Sequence, residues 1–580
     1  MKVTWDIETV GLGGALVLGG IYNGTDYYEF HDFKEMLLLL PNEDCTIYAH
    51  NGAKYDNRYL LKYIKDAGLE ITGTMFLHSG LIFTVIYNGF MYEFRDSMHL
   101  MVGSLKSLCK GFDIGDDSKK EFDIKSWIAS GCPETAELKE YLKYDCISLY
   151  RLLEKFENTF DVEIKLTIAS TAFNVLLNTE YKGVELKKLC TNYLTKEIED
   201  NIRLSFKGGR VEVFKRRGQN LFKYDVNSLY PAVMRNENYP YGKMIEHPGD
   251  TCKKFVDHGF LGILKCNIIS PKQKYPYLAK RHDDKLMFME GEWADWITSI
   301  EYLEAIKRGY KIEIETGYIW AKKGKTFKEF EDKYYLIKEK SSGGKKEVAK
   351  RFLNTCFGKF GQSRTQKSVI TEDKITAKNI DYVEMLDNDG FLFSIEKTNY
   401  GNRKINPAYA AFITAYARHE LYLGFEEIIN ADGEIFYCDT DCIVSDKPMR
   451  TSLIHPTRLG AWDDEGKGET FEDSIFISPK LYTMKKGSEL CIKGKGFDNE
   501  KLKAMRFNDF IDLLNGKEFK ISCQRVTGVL EHFTRKATDK KLFIQGLEQD
   551  KIMKNDYNKR ELVNNIETIA FNYNYIVATD

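Results

Sequence analysis

Residues 435–445, IFYCDTDCIVS, place two aspartates between two short apolar runs. Apolar runs of this length around an acidic turn are typical of a β-hairpin, and we expect Asp439 and Asp441 at its tip. Side chains two residues apart on an extended strand point to the same side, so the two carboxylates repel each other unless a cation lies beside them. On this segment alone, a metal site and an ordinary acidic turn are both open interpretations.

A second acidic strand end favours the metal site. Residues 222–231, FKYDVNSLYP, are typical of a β-strand that ends near Asp225 and is followed by a turn or a helix start. Phosphoryl transfer with two metal ions needs carboxylates from more than one chain segment, and Mg²⁺ binds one or two carboxylates together with substrate phosphates. We therefore predict that Asp225 and Asp441 hold two Mg²⁺ ions, with Mn²⁺ as a substitute, and that Asp439 is an auxiliary carboxylate.

A basic helix is predicted between these two segments. Residues 346–361, KEVAKRFLNTCFGKFG, form an amphipathic pattern that ends at a glycine. Lys346, Lys350 and Asn354 recur every four residues and therefore share one face. A lysine stripe is most often a solvated face, and the pattern alone leaves that alternative open. An SSGG segment separates this helix from a second helical run over residues 326–340, which predicts an antiparallel helix pair.

Three N-terminal segments carry a second set of acidic side chains. Residues 3–9 (VTWDIET) are typical of a strand, residues 48–56 (YAHNGAKYD) of a strand and a loop, and residues 137–153 of a helix with a leucine-rich face. Tyr141 and Asp145 lie one helical turn apart on that helix. The carboxylates of this second candidate two-metal site are Asp6, Glu8, Asp56 and Asp145.

These motifs together resemble a known family. DVNSLYP and YCDTD resemble the first and third palm motifs of family B DNA polymerases, and KxxxNxxFG between them resembles the fingers motif. The D-x-E, N-x-x-x-Y-D and Y-x-x-x-D spacings ahead of them resemble a DEDDy-type 3′-5′ exonuclease. FKGGR at 206–210, TAYAR at 414–418 and KLY at 480–482 resemble segments of the protein-primed polymerases of small phages with linear genomes. The chain departs from that pattern at Phe206 and Phe357, where the family usually has tyrosine.

The resemblance implies an α/β plus α+β multidomain fold. A ribonuclease-H-like 3′-5′ exonuclease domain is followed by a right-hand polymerase of palm, fingers and thumb with two terminal-protein-region insertions. The second insertion is expected to serve strand displacement and processivity. The expected limits are 1–157 for the exonuclease domain, 158–236 for the linker and first part of the palm, 237–325 for the first insertion, 326–361 for the fingers, 362–404 for the second insertion, 405–499 for the second part of the palm and 500–580 for the thumb.

The resemblance also implies the activity and its partners. It implies a DNA-directed DNA polymerase with a proofreading 3′-5′ exonuclease, two-metal nucleotidyl transfer, and protein-primed, strand-displacing replication of a linear phage genome. The expected partners are template-primer DNA, dNTPs and a terminal protein that acts as primer. We expect a monomer without membrane attachment, in the cytoplasm of an infected bacterial cell.

Individual roles follow from the same resemblance. The backbone carbonyl of Val226 is expected to complete a metal site in the palm, and Tyr141 and Lys119 are expected to act in the exonuclease. Residues expected to bind the nucleotide are Tyr230, Lys338, Lys346, Lys350, Asn354 and Phe357. Residues expected to bind DNA are Asn51, Tyr59, Ser97, Lys207, Gly208, Gly209, Arg210, Thr414, Arg418, Lys480, Tyr482 and Lys493.

Composition limits the other classes of protein. The net charge is −2 over 580 residues, but basic residues concentrate at 207–217 and 338–351, and phosphate affinity depends on local charge. The 12 cysteines include no CxxC pair, which argues against zinc ribbons. The longest apolar cluster is too short to cross a bilayer. The first residues are typical of a core strand rather than a signal peptide, so we expect an intracellular protein with free thiols.

Four alternatives were weighed against the polymerase. A stand-alone exonuclease leaves most of the chain without a role. A reverse transcriptase would have two adjacent aspartates in its hairpin, whereas Thr440 separates them here. A non-catalytic replication scaffold would not need the complete set of carboxylates. A nucleic-acid-primed family B polymerase stays open, because nothing in the spacing itself identifies a protein primer.

Overall fold

A computed structural model gives the coordinates of the chain. It describes residues 1–11, 14–77, 80–115, 122–190, 194–371, 382–385, 392–398, 404–526 and 546–577.

The N-terminal part of the chain is built on a ten-stranded sheet. Strand Lys2–Thr9 lies inside it, antiparallel to Leu16–Tyr22 and parallel to Cys45–Ala49. Val3 and Trp5 of this strand are fully buried and anchor a separate hydrophobic core. In spatial order the strands are Tyr382–Met385, Leu392–Thr398, Thr365–Thr371, Ile71–Leu77, Gly80–Tyr87, Phe90–Asp96, Cys45–Ala49, Lys2–Thr9, Leu16–Tyr22 and Tyr27–Phe30.

Helices cover this sheet and connect it to the next. The longest is Ala136–Phe160; the Thr135 hydroxyl caps its first turn by accepting from the Leu138 amide, and Asp161 ends it in the left-handed region at φ 53°. The shorter helices before and after it are Phe33–Leu39, Asp56–Asp66, Leu105–Gly111, Ile124–Ala129, Ile168–Asn178, Leu186–Cys190 and Lys196–Ser205, with 3₁₀ turns at Gly52–Lys54 and Ser97–His99 and a short hairpin of Glu180–Tyr181 and Val184–Glu185.

A second, antiparallel sheet forms the centre of the molecule. Its central strand, Arg217–Val226, pairs with Cys442–Ser445 on one side and with Phe471–Ser478 and Trp462–Asp464 on the other. Helix Pro407–Asn430 packs behind this sheet with most of its side chains buried. The remaining elements of this region are strands Val211–Val213, Ile435–Asp439, Leu481–Lys486 and Glu489–Gly494, helix Leu229–Asn236 and the 3₁₀ turn Thr451–Leu453.

Two further units lie between the two halves of the central sheet in sequence. The first is a four-stranded sheet over the predicted first insertion, in the order Tyr239–Pro248, Lys311–Gly324, Leu261–Ser270 and Gly291–Thr298, with helices Gly249–Asp257 and Ser299–Lys307 and a small hairpin of Lys280–His282 and Lys285–Met287. The second is the antiparallel helix pair Lys328–Lys340 and Gly343–Thr355, followed by the 3₁₀ turn Phe357–Lys359.

Strands Thr365–Thr371, Tyr382–Met385 and Leu392–Thr398 join the N-terminal sheet rather than the central one. Strand Thr365–Thr371 pairs antiparallel with Leu392–Thr398 and meets Ile71–Leu77 at Ser368 and Met75. The predicted second insertion therefore extends the sheet of the predicted exonuclease domain in the described residues. The domain limits given above stay predictions.

The C-terminal part combines short helices with a two-stranded ribbon. Phe519–Val526 pairs antiparallel with Gly546–Met553. The other elements are helices Asn499–Lys503, Phe507–Leu514 and Tyr573–Val577 and the strand pair Glu561–Leu562 and Thr568–Ile569.

The described cysteines are mostly buried in the core. The 11 cysteines for which the structure describes a side chain are all free, and ten of them are buried. Within the described part of the chain, no helix combines the length and the hydropathy needed to span a bilayer.

Candidate active site

The central sheet brings together two aspartates that are distant in sequence. Asp225 lies near the end of strand Arg217–Val226, opposite Cys442 on the neighbouring strand. The Val226 amide donates a hydrogen bond to the carbonyl of Asp441 at 2.8 Å. Asp225 and Asp441 are thus backbone neighbours across two paired strands, as the sequence predicted.

The electrostatics of this pair favour a bound cation. Burial, together with the charges of the nearby Asp441 and Glu465, raises the pKa of Asp225 to about 7. Burial also raises the pKa of Asp441 to about 6, with Asp439 adding to the shift. Each carboxylate therefore resists ionisation next to the others, and a divalent cation would relieve that repulsion.

The donor set fits Mg²⁺ only together with other oxygens. Within the described residues, no group of three or more His, Cys, Asp or Glu side chains is arranged to hold a metal ion by itself. Mg²⁺ usually takes one or two carboxylates and fills its other positions with water and substrate phosphates. Two carboxylates beside the Val226 backbone match that requirement.

The hairpin tip is fixed by its neighbours. Thr440 sits in the left-handed region at φ 62°, and its amide donates to the carbonyl of Arg210 at 2.7 Å. The Asp439 carboxylate forms an ion pair with Lys480 at 2.7 Å and accepts from the Tyr437 hydroxyl at 3.2 Å. These partners favour the auxiliary role predicted for Asp439, because its charge is already balanced within the protein.

Two further carboxylates at this site were missed from the sequence. Asp463 lies directly opposite Asp225 in the register with strand Trp462–Asp464, and Glu465 forms an ion pair with Lys223. The sequence showed them only as part of an acidic run, and nothing in the run itself indicates its register against Asp225.

Lysines of the helix pair face these carboxylates. Lys350 lowers the pKa of both Asp225 and Asp441. The Lys338 ammonium donates to the Ser228 hydroxyl at 2.7 Å, and burial lowers the pKa of Lys338 to about 8, with Lys350 and Lys346 adding to the shift. Such a concentration of positive charge suits a polyphosphate.

Two aromatic rings of the predicted nucleotide site contact each other. The ring centroids of Tyr230 and Phe357 are 4.4 Å apart. Burial raises the pKa of Tyr230 to about 12, although Arg418 opposes the shift. Asn354, predicted to share a face with Lys346 and Lys350, is half-buried on helix Gly343–Thr355. The predicted nucleotide-binding residues thus occupy one region, and their roles stay predictions.

The loop after helix Lys196–Ser205 differs from expectation in its charges. Lys207 is buried and pairs with Asp295 at 2.9 Å, and Arg210 is buried and pairs with Glu212 at 2.6 Å. Both side chains therefore have partners inside the protein, and DNA binding by Lys207 and Arg210 stays a prediction.

The two glycines of that loop have contrasting surroundings. Gly208 is exposed, and a Cβ added to it would meet nothing within 4 Å. A Cβ added to Gly209 would lie 2.8 Å from Thr440 at the hairpin tip. The backbone of Gly208 and Gly209 is therefore what this loop presents beside the carboxylates.

Three other predicted DNA contacts are also buried. The Thr414 hydroxyl donates to the Ala410 carbonyl of its own helix, and Arg418 pairs with Glu301 at 2.7 Å. Tyr482 is 6% exposed and lies in an aromatic cluster. The polar groups of Thr414 and Arg418 are thus satisfied internally and the Tyr482 ring is packed in the core; DNA binding by these three residues stays a prediction.

Lys480 and Lys493 remain accessible near the hairpin. Both line a cavity of about 530 Å³ that also includes Asp439, Tyr482 and Lys495. The DNA-binding role of the two lysines stays a prediction, and their position beside the hairpin is compatible with it.

The N-terminal acidic residues also converge. Asp6 and Glu8 lie on strand Lys2–Thr9, and the Ile7 amide between them donates to Asp56 Oδ1 at 3.3 Å. Burial raises the pKa of Asp56 to about 7, with Asp96 adding to the shift and a hydrogen bond from Asp6 opposing it.

The long helix contributes the other predicted members. Tyr141 and Asp145 are both buried on helix Ala136–Phe160. Burial raises the pKa of Tyr141, and three carboxylates raise it further: Asp145, Asp6 and Glu8. Tyr141 therefore lies within electrostatic reach of the acidic pair on strand Lys2–Thr9, and its role in the exonuclease stays a prediction.

Asp96 organises the entrance to this site, and sequence reasoning missed that role. Its carboxylate accepts from the amides of Asn51 at 2.9 Å, Ala53 at 3.1 Å and Met98 at 2.8 Å. These bonds hold Asn51 in the left-handed region at φ 67°. The sequence segment DSMHL gave no sign that its first aspartate would fix the loop of another segment.

The other residues predicted for the N-terminal site have different surroundings. The Tyr59 hydroxyl donates to Thr9 Oγ1 at 3.4 Å, at the end of the strand that carries the acidic pair. Ser97 is fully buried and hydrogen-bonded to His50 at 2.8 Å, and its contact with a DNA strand stays a prediction. Lys119 lies outside the described residues.

Comparisons with known proteins agree with this architecture. Residues 135–423, about half of the chain, match the family model described as DNA polymerase type B, organellar and viral. The probable DNA polymerase of Podospora anserina is 28% identical over 480 residues, which cover 72% of this chain and 38% of that protein. The DNA-directed DNA polymerase of Enterobacteria phage PRD1 is 27% identical over 506 residues, covering 82% of this chain and 80% of that protein.

A solved structure shows the same fold. Phi29 DNA polymerase complexed with primer-template DNA and incoming nucleotide substrates superposes with a TM-score of 0.75 at 21% sequence identity, covering 96% of this chain and 100% of that chain. The fold is therefore that of a family B DNA polymerase, with an exonuclease domain followed by palm, fingers and thumb, and the predicted fold class is confirmed.

The family follows from the same comparisons. The chain belongs to the organellar and viral type B DNA polymerases. It spans less than half the length of two fungal relatives, 38% of the Podospora anserina protein and 41% of the Ascobolus immersus protein.

Proposed function

We propose that this protein is a DNA-directed DNA polymerase with a 3′-5′ exonuclease in its N-terminal domain. The observation that carries the proposal is the proximity of Asp225, near the end of its strand, to Asp441, in the turn of the neighbouring hairpin, with the Lys350 charge acting on both. Carboxylates and lysines on opposite sides of one cleft match the two needs of nucleotidyl transfer, a metal site and a triphosphate site.

The palm residues would bind the metal ions, and the lysines of the helix pair would bind the phosphates. Asp225, Asp441 and the Val226 carbonyl would hold divalent ions, which we propose to be two Mg²⁺. When bound, the ions supply activation of the primer 3′-hydroxyl and charge neutralisation on the triphosphate. Lys350 and Lys338 orient the phosphates as mobile point charges.

The aromatic pair sets the position of the sugar and base. Tyr230 lies beside the metal carboxylates and would exclude a 2′-hydroxyl by contact with the sugar. Phe357 supports the Tyr230 ring and faces the nascent base pair without donating a hydrogen bond.

The exonuclease uses the second acidic cluster. Asp6, Glu8, Asp56 and Asp145 would hold the divalent ions, and Tyr141 would orient the attacking water. Because this cluster lies on a different sheet from the palm carboxylates, degradation and synthesis are separable by substitution.

A labelled primer-template distinguishes the proposed activities. With Mg²⁺ and four dNTPs we expect extension, and without dNTPs we expect 3′-5′ degradation. The double variant Asp6→Ala/Asp56→Ala should extend the primer but no longer degrade it. A wild-type protein that degrades DNA and never extends it would instead support a stand-alone nuclease.

We further propose a protein primer, which the resemblance to protein-primed polymerases supports. Its Ser, Thr or Tyr hydroxyl would accept the first nucleotide, and strand-displacing replication would follow. Incubation with a candidate terminal protein and labelled dATP should give a covalent protein–nucleotide adduct. If no adduct forms while an oligonucleotide primer is extended, the enzyme is primed by nucleic acid.

A further inference from the structure

A buried glutamate outside the palm uses both of its carboxylate oxygens. Glu301, on helix Ser299–Lys307 of the four-stranded sheet unit, accepts with Oε2 from the amide and hydroxyl of Thr298 at 3.0 and 2.9 Å. Oε1 accepts from Arg418 at 2.7 Å. One oxygen therefore caps a helix of the insertion, and the other holds an arginine of the palm helix Pro407–Asn430.

Arg418 joins Glu301 to the glycine loop, residues 206–210. Its Nη2 donates to Glu301, while its Nη1 donates to the carbonyls of Lys207 at 2.5 Å and Gly208 at 2.8 Å. The side chains of Glu301 and Arg418 are 3% and 5% exposed. Burial favours the protonated acid, yet the Arg418 and Lys207 charges hold the pKa of Glu301 below its usual value.

A second buried ion pair holds the same loop to the same insertion. The Lys207 ammonium lies 2.9 Å from Asp295 and donates to the Trp296 carbonyl at 3.3 Å. Both residues belong to strand Gly291–Thr298, which leads directly into the helix of Glu301.

The glycine loop in turn contacts the tip of the catalytic hairpin, residues 435–445. The Arg210 carbonyl accepts from the Thr440 amide at 2.7 Å, and Gly209 leaves no room for a Cβ against Thr440. A shift of the Lys207 and Gly208 carbonyls would therefore move the loop away from the hairpin tip.

We propose that Glu301 is a positioning residue for polymerisation: through Arg418 it holds the Gly208–Gly209 backbone at the tip of the catalytic hairpin, where the primer-template binds. Glu301 itself does not touch DNA. The insertion thereby sets the geometry of the template-primer site through a buried carboxylate, in addition to any role as a docking surface.

The inference rests on the proposed polymerase function, and a double-mutant cycle tests it separately. The variants are Glu301→Gln, Arg418→Gln and the two combined, with the dissociation constant for primer-template as the readout. Glutamine keeps an acceptor for the helix cap but cannot balance the Arg418 charge. We expect each single variant to bind primer-template about tenfold to a hundredfold more weakly, because the loss of a charge-assisted hydrogen bond changes an equilibrium constant by about that factor.

The cycle distinguishes positioning from an independent role. If Glu301 acts through Arg418, the double variant binds no more weakly than Arg418→Gln alone. The KM for dNTP and the degradation of single-stranded DNA should stay close to those of the wild type. Losses that add, or unchanged primer-template binding in Glu301→Gln, overturn the proposal. A parallel loss of exonuclease activity and melting temperature shows general destabilisation and overturns it as well.

Glu304 provides a matched control on the same helix. It pairs with Arg308 at 2.7 Å, and Arg308 contacts Glu426 of the palm helix at 2.8 Å. Glu304→Gln therefore weakens the same helix-to-helix contact without reaching the glycine loop, and it should leave primer-template binding unchanged. If it weakens binding as much as Glu301→Gln, the specific route through Arg418 is wrong.

Two additions keep the outcome clear. If Glu301→Gln does not fold, Arg418→Lys carries the same prediction, because lysine keeps the charge beside Glu301 but cannot reach both loop carbonyls. Asp225→Asn, tested in parallel, should abolish synthesis and keep primer-template binding. Synthesis by Asp225→Asn would refute the proposed function rather than the positioning role.

Discussion

Replacing Gly209 with alanine should disturb the catalytic hairpin directly. The added Cβ would lie 2.8 Å from Thr440, whereas ordinary contact begins at 3.4 Å, so the loop and the tip must separate by about 0.6 Å. The overpacking is expected to cost about 1–3 kcal/mol. Because a displacement of about 1 Å near reacting groups costs up to about a hundredfold in rate, we expect kcat for primer extension to fall tenfold or more.

The neighbouring glycine gives the comparison that isolates the steric effect. Neither Gly208 nor Gly209 has a positive φ, so alanine is compatible with the backbone at both. A Cβ on Gly208 meets nothing within 4 Å, and Gly208→Ala should therefore lose much less kcat than Gly209→Ala. Single-turnover extension measures both, with exonuclease activity as the folding control. Equal losses in the two variants would refute the steric argument.

Three further predictions concern charge and shape. As pH rises through about 8, Lys338 should lose its proton and the KM for dNTP should rise. Because arginine stays charged, Lys338→Arg should remove that rise in steady-state kinetics. A rise that persists in the variant would contradict the role of Lys338 in binding the triphosphate. Tyr230→Val should increase ribonucleotide incorporation in a misincorporation assay, and unchanged discrimination would show that the ring does not sense the 2′-hydroxyl. Burial raises the pKa of Glu331 well above its usual value, so the stability contributed by this group is present in acid and is lost as pH rises above the unfolded-state pKa. Above that pH, the free energy of unfolding of Glu331→Gln should gain on that of the wild type by up to about 1.4 kcal/mol per pH unit in urea titrations. A difference between the two proteins that does not change with pH would contradict this.

The two predicted metal carboxylates could be found from the sequence because each lies at a recognisable place in its own segment. Asp225 closes an apolar strand and Asp441 lies at the turn between two others, so each is marked by its own segment. Their meeting in the structure follows from strand pairing. Lys346 and Lys350 were found in the same way, from their helical spacing, whereas Lys338 was implied only by the family resemblance.

The fate of the basic loop residues could not be found this way. Lys207, Arg210 and Arg418 were expected to meet DNA, yet Asp295, Glu212 and Glu301 bury their charges. Asp295 and Glu301 come from a separate unit, and their pairing depends on tertiary contacts that no local spacing records. A lysine or arginine in a short motif looks the same whether its partner is a phosphate or a distant carboxylate.

Glu465 and Asp96 show the same limit for acidic residues. Each affects a metal carboxylate predicted from sequence, Glu465 acting on Asp225 and Asp96 on Asp56. Neither effect is visible in its own segment, because it depends on the register or the loop path of another part of the chain.

Divalent-ion binding and primer extension by Asp225→Asn test the central claim most directly. In a Mn²⁺ titration followed by electron paramagnetic resonance with primer-template and a non-hydrolysable dNTP, the variant should lose ions that the wild type binds. The same preparation should fail to extend a primer while it still degrades single-stranded DNA. Wild-type ion binding, or undiminished synthesis, would show that nucleotides are not joined between Asp225 and Asp441.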